Sequence, residues 1–176
     1  MAADKRTTHF RGRVISLTID EVALPNGHVA LLEIVHHPGG AAIVALDSDQ
    51  RVCLLKQYRH AAGQWLWELP AGKLEPGEPP LNTAQRELIE EAGVEAAHWS
   101  SLGHCTPSPG ILTEVVHLYL ATGLTAASAA PESSEVFEVH WIDLNEAWRQ
   151  VLDGTINDAK TALGIARASG PQTVLK

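Results

Sequence analysis

The sequence has little cysteine, no long apolar run, no internal repeat and no excess of basic charge, and each absence narrows what the chain can do. Cys53 and Cys105 have no cysteine or histidine at zinc-finger spacing, which argues against a structural zinc, and two lone thiols fit a reducing compartment. No apolar segment approaches membrane-spanning length, and the opening MAADKRTTHFRGR lacks the apolar stretch of a secretory leader. The expectation is a cytoplasmic protein with no membrane partner. Lysine and arginine number 13 against 21 aspartates and glutamates, giving a net charge of −8, which speaks against a nucleic-acid groove. The same charge poses a problem for any polyanionic substrate, which would need bound cations or local arginines. What is present is a chain of 176 residues, 45% of them hydrophobic, enough for one domain with its own core and a small appendage.

Ile15, Leu17 and Ile19 alternate with Ser16, Thr18 and Asp20, the pattern of a strand with its apolar side turned inward. Pro25-Asn26-Gly27 marks a turn and VALLEIV (29–35) a returning strand. An antiparallel unit is therefore expected over residues 1–38, with strands from about 10 to 37, and a main domain over 39–176. His36 and His37 read as exposed loop residues at that boundary, since no third metal ligand lies near them in sequence. AAIVAL (41–46), the turn 47–50 and RVCLLKQY (51–58) predict a second hairpin. SLGHC, VVHLYLA (115–121) and VFEVHWI (136–142) predict further strands, and helices are expected near 144–153 and 157–168. TAASAAPESS (125–134) reads as a mobile loop. Strands and helices without strict alternation predict a mixed sheet covered by helices, an α/β fold.

Helical spacing of Leu81, Ala84, Leu88 and Ala92, with Pro79-Pro80 suited to its first turn and Gly93 after it, predicts a helix across this segment. Its last turns carry Glu87, Glu90 and Glu91, which share a face at spacings of three and four. Each exposed like-charge pair costs about 0.2–0.5 kcal/mol. The helix C-terminus already favours cations over anions, and Arg86 is expected to offset only one charge. A solvated acidic face is one reading. The other is a site for Mg²⁺ or Mn²⁺, because clustered hard oxygens suit such ions and the ion cancels the repulsion.

The preceding loop completes a longer pattern: Gly72, five residues, Glu78, seven residues, then RELIEEAGV from Arg86 to Val94. This resembles the signature of the Nudix hydrolases at every fixed position. The resemblance implies an α/β/α sandwich with a mixed sheet. It also implies metal-dependent hydrolysis of the pyrophosphate bond in a nucleoside diphosphate derivative. Glu87 and Glu91 would be metal ligands, with Glu90 assisting and the Ala71 carbonyl as a further ligand, while Glu78 and Arg86 would hold the loop and orient the glutamates.

QYRHAAGQWLWELPAGKLEPGE, Ser108-Pro109-Gly110, Glu114 with the residues to Ala121, SEVFEV and DAKT resemble the ADP-ribose pyrophosphatase branch. In that branch Arg59 would bind phosphate, against the alternative of a surface salt bridge, and Glu68 would help grip the substrate. Pro109 and Glu114 would lie beside it. The resemblance puts the catalytic base on the loop before the last strand, at Glu135 or else Glu132, with Glu90 and Glu91 supporting the chemistry. Trp65 and Trp67 share one side of a strand and read as core or as base-stacking groups. The branch also implies a homodimer packed through the N-terminal strands. The implied substrate is ADP-ribose, cleaved to AMP and ribose 5-phosphate. The alternatives are another nucleoside diphosphate sugar such as GDP-mannose, or a non-catalytic ligand sensor.

Overall fold

The structure, a computed structural model, describes residues 5–130 and 136–170. Its strands are β1 (Lys5–Arg11), β2 (Ser16–Ala23), β3 (Val29–His36), β4 (Gly40–Ala45), β5 (Arg51–Arg59), β6 (Gln64–Glu68), β7 (Ala71–Lys73), β8 (Val94–Cys105), β9 (Val116–Ala126) and β10 (Phe137–Asp143). The helices are α1 (Pro80–Ala92), α2 (Leu144–Leu152) and α3 (Ala159–Ser169).

The apolar run of β4 decides the layering. All six of its residues are buried, and successive side chains of a strand point to opposite faces. Ala41, Ile43 and Ala45 pack with Ala84 and Leu88 of α1. Ala42 and Val44, with Leu46 beyond the strand, pack with Ala147 of α2 and Ile165 and Ala168 of α3. A strand covered on both faces needs no polar alternation, and here it forms the middle of an α/β/α sandwich. The sheet order is β7-β4-β9-β8, with β4 and β9 parallel and the outer pairs antiparallel. A second, antiparallel sheet runs β10-β5-β6. α1 ends where the sequence predicts, on Gly93 at φ 64°, whose N–H donates to the Ile89 carbonyl. α2 and α3 begin at Asp143 and Asp158, whose side chains accept from backbone N–H groups of the first turn.

Five expectations need correction. β4 and β5 are not a hairpin: they meet only at a bridge between Leu46 and Val52, because the chain crosses from one sheet to the other there. SLGHC is the end of a twelve-residue strand, β8, whose extension is set by pairing along β9 rather than by its own mixed pattern. The segment TAASAA starts inside β9, which runs to Ala126. In the N-terminal unit the polar β1, exposed throughout, adds a third strand. It is held by Arg6, which bonds both oxygens of Asp20. That pairing also inverts β2: Thr18 and Asp20 are its buried residues, while Leu17 and Ile19 are half-buried. Thr18 Oγ1 donates to Asp20 at 2.8 Å and lies 2.9 Å from His36 Nε2, so polar groups satisfy one another beneath Arg6.

This sheet touches the main body through the loop after β8. Val35 N donates to the Ile111 carbonyl at 2.8 Å, and Thr113 N donates to the Val35 carbonyl at 3.0 Å. Among the described residues no helix is long and apolar enough to cross a membrane.

Candidate active site

Glu87 and Glu91 are among the buried residues of α1, with 8% and 2% of their surface exposed. They sit one helical turn apart on the face that also carries Ala84 and Leu88, so the helix presents carboxylates where it packs against the sheet. Gly72 makes room for them: a Cβ there would lie 1.8 Å from Glu87 Oε1. Ala71 N donates to Glu91 Oε2 at 2.8 Å. The start of β7 and the acidic end of α1 are thus fitted to each other by one missing side chain and one hydrogen bond.

Arg86 does more than offset a single charge. Its Nη1 donates to Glu87 Oε1 at 2.7 Å and to Glu90 Oε2 at 3.1 Å, and its Nη2 donates to Glu78 Oε2 at 3.3 Å. Burial works to lower the Arg86 pKa, but the bonds to Glu78 and the charge of Glu87 outweigh it and raise it. Glu78 Oε2 also accepts from Thr83 Oγ1 at 2.7 Å, which ties the loop to the start of the helix, and these bonds hold its carboxyl below the usual range. Beneath this end of α1, burial and then the charge of Glu91 push the Cys53 thiol up to about 12, so it stays protonated.

A cleft of about 380 Å³ opens beside Glu87. It is lined by Ala71, Gly72 and Lys73, by Arg59, Asp158 and Lys160, and by His37, Pro107 and Glu114. Arg59 donates from Nε to Glu68 Oε1 at 2.7 Å and from Nη2 to Glu68 Oε2 at 2.9 Å. Glu68 is 2% exposed. Burial would raise its carboxyl, yet the bonds to Arg59 and the charge of Lys160 prevail and hold it down at about 2.

Of the residues singled out in the sequence, Arg59, Ala71, Glu87 and Glu114 line this cleft, and Glu68 and Glu91 stand directly behind it. Glu90 is turned to Arg86. Pro109 is exposed, and Pro107, two residues earlier, supplies the proline at the wall. Glu135 and Glu132 lie outside the described residues. Trp65 and Trp67 point away from the Glu68 face of β6: Trp65 meets Tyr58 edge-on at 5.8 Å, and Trp67 packs on His140 and the core. His37 is not a free loop residue. Its ring accepts from Gly39 N at 3.1 Å and lies 3.3 Å from Glu114. Sequence reasoning gave no role to His37, Lys73, Asp158 or Lys160; the DAKT segment was the one available signal for the last two.

Hard carboxylate oxygens beside a cleft suit a small divalent cation. Among the described residues no three acidic, histidine or cysteine side chains converge as a closed cage. None is required, since Mg²⁺ is commonly held by one or two carboxylates with water and substrate phosphates completing its shell. The residues present fit such an ion.

Acidic helix, strand β7 and facing arginine on an α/β/α sandwich define a class of enzyme that handles phosphate anions with a divalent cation. The NUDIX domain family matches residues 36–162. The chain is 40% identical to the ADP-ribose pyrophosphatase of Mycobacterium tuberculosis (strain ATCC 25618 / H37Rv), over 90% of this chain and 78% of that one. It is 39% identical to the methanol dehydrogenase activator of Bacillus methanolicus, over 89% and 85% of the two chains. The fold matches a crystal structure described as an ADP compounds hydrolase, with a TM-score of 0.81 and 19% identity, over 95% of this chain and 91% of the other. The chain belongs to the Nudix family of hydrolases, whose members generally need a divalent metal ion.

Gly72→Ala tests the fit of strand to helix. The added methyl displaces the Glu87 carboxylate, so Mn²⁺ affinity, read by electron paramagnetic resonance, falls by about tenfold or more while the circular dichroism spectrum is kept. Unchanged affinity would show that Glu87 needs no such opening.

Proposed function

We propose that this protein hydrolyses the diphosphate bond of ADP-ribose, giving AMP and ribose 5-phosphate. The observation that carries the reading is that one cleft is lined both by Glu87 with Ala71 and Gly72 of β7, to which Glu91 is bonded, and by Arg59 held on buried Glu68. The carboxylates suit a cation and the arginine an anion. The name of the mycobacterial relative supports the substrate.

In this reading Glu87 and Glu91, with Glu90 and the Ala71 carbonyl, would hold Mg²⁺ or Mn²⁺. Such an ion, when bound, supplies charge neutralisation at a diphosphate and activation of water. Arg86 and Glu78 keep the carboxylates aligned. Arg59 takes a phosphate through N–H groups not engaged by Glu68, and Glu68 fixes its direction. Glu114 and the loop carrying Pro109 face the distal end of the substrate. Glu135 removes the proton from the attacking water, with Glu132 as the alternative base. We place the enzyme in the cytoplasm, in keeping with two free cysteines.

A panel of nucleoside diphosphate derivatives with Mg²⁺ or Mn²⁺, read by product analysis, tests the reading. The expected kcat/KM for ADP-ribose exceeds that for GDP-mannose, and exceeds that for any nucleoside triphosphate by about tenfold or more, because a pocket made for a terminal ribose leaves polar groups unpaired without it. Faster turnover of triphosphates would overturn the substrate assignment. Binding of ADP-ribose without turnover would make the protein a sensor.

We further propose that residues 1–38 form a dimerisation unit. Leu17 and Ile19 share one face of the N-terminal sheet with Phe10, Val29 and Leu31, which are 53%, 56% and 69% exposed. Lys5, Glu21 and Glu33 stand on the same face, so a partner there would cover exposed apolar side chains interspersed with charge. The native protein is expected to sediment as a homodimer at micromolar concentration and Leu31→Glu as a monomer. A fully active native monomer would contradict a site shared between subunits.

A further inference from the structure

Lys160 and Glu68 are 92 residues apart in sequence and meet at the back wall of the cleft. Glu68 Oε2 accepts from Arg59 and from Lys160, so one carboxylate is shared between two cations. Lys160 Nζ also donates to Asp158 Oδ2 at 3.1 Å. Asp158 in turn accepts from Thr161 N at 3.0 Å and from Thr161 Oγ1 at 2.6 Å. Thr161 Oγ1 accepts from Leu69 N at 2.9 Å, which closes the circuit onto the residue after Glu68. The start of α3 is therefore stapled twice to the end of β6, once through charge and once through a buried hydroxyl.

Neither tether is required by the helix alone, since Asp158 caps it without Lys160. The lysine stands at 17% side-chain exposure between two carboxylates, a costly place for a long charged side chain. Its charge has an effect on Arg59. If Arg59 were the only cation on buried Glu68, its guanidinium would be neutralised there and its remaining N–H groups would face the cleft with little net charge. With Glu68 shared, part of the positive charge of Arg59 is left for a ligand.

We propose that Lys160 is a positioning residue that keeps Arg59 electrostatically available to a diphosphate by sharing the charge of Glu68. The proposal rests on the reading of the cleft as a diphosphate site. The cations facing Glu68 are Arg59 from β5 and Lys160 from the start of α3, which together hold it ionised; Asp158 shares Lys160, and Glu91 and Asp158 also act on Arg59, so loss of the lysine charge leaves Arg59 among three carboxylates.

The test uses inorganic pyrophosphate and the whole protein with divalent ions chelated, followed by phosphorus NMR titration, so its outcome does not depend on which nucleotide is hydrolysed. ADP-ribose turnover by the native protein tests that reading separately. Lys160→Gln keeps a hydrogen-bond donor of similar reach and removes the charge. It is expected to weaken pyrophosphate binding by about tenfold in the native background and by less than about twofold in Arg59→Met, the coupling expected of a residue acting through another. Lys160→Arg is expected to bind like the native protein, and the melting temperature of the Gln variant to stay within about 4 °C of native. Native-like binding by Lys160→Gln would overturn the proposal, since a structural tether needs only the hydrogen bond. An equal loss in Arg59→Met would overturn it by showing that Lys160 touches the anion directly. Absence of saturable binding to the native protein would overturn it as well.

Discussion

The guanidinium of Arg86 lies among Glu78, Glu87 and Glu90, and the shape of the acidic helix end depends on it. Without a cation, carboxylates at the C-terminal end of a helix repel one another and meet the wrong end of the helix dipole. Arg86 answers part of that repulsion from within the chain. It also joins the loop before α1 to the helix itself, because Glu78 is bound at the same time to Thr83 in the first turn. A planar fork with five donors can do this; an ammonium on a flexible stem would not fix three carboxylates together.

The acidic end is useful only because it is held still against the sheet. β4 is packed on both faces, by α1 on one side and by α2 and α3 on the other. β7, at Ala71 to Lys73, pairs with the start of β4, and Glu91 bonds its first residue. The start of α3 is bound to the end of β6 just before the same strand. Elements from both layers of helices thus bear on four consecutive residues, Leu69 to Gly72, and the cleft lies beside them. An enzyme acting on a diphosphate with a divalent cation gains most from such fixed positions, since its work is placing charge rather than making covalent contacts.

Much of this was legible from local rules. The helix, its left-handed glycine cap and the doubly buried β4 follow from spacing, capping and an uninterrupted apolar run. The acidic face and the Gly72–Glu78–Arg86 spacing located one wall of the cleft. Features set by distant partners were not legible. β1 is polar but for Phe10, and it pairs along β2 with Arg6 bonded to Asp20, an interaction that goes with the reversal of the alternation expected of β2. β4 and β5 look like a hairpin locally but join different sheets. The second wall depends on Lys160 meeting Glu68 across 92 residues, and DAKT alone carries no sign of that partner. Arg86 looked able to answer one carboxylate, because spacing along a helix does not show the loop glutamate that folds back beside it.

The buried carboxylates of α1 and the strand β7 facing them are the divalent-cation site proposed above. The most direct measurement is anomalous diffraction from crystals of the native protein grown with Mn²⁺. The account predicts an anomalous peak between the Glu87 and Glu91 carboxylates and the Ala71 carbonyl. Peaks confined to surface carboxylates, with nothing between α1 and that strand at saturating Mn²⁺, would contradict it.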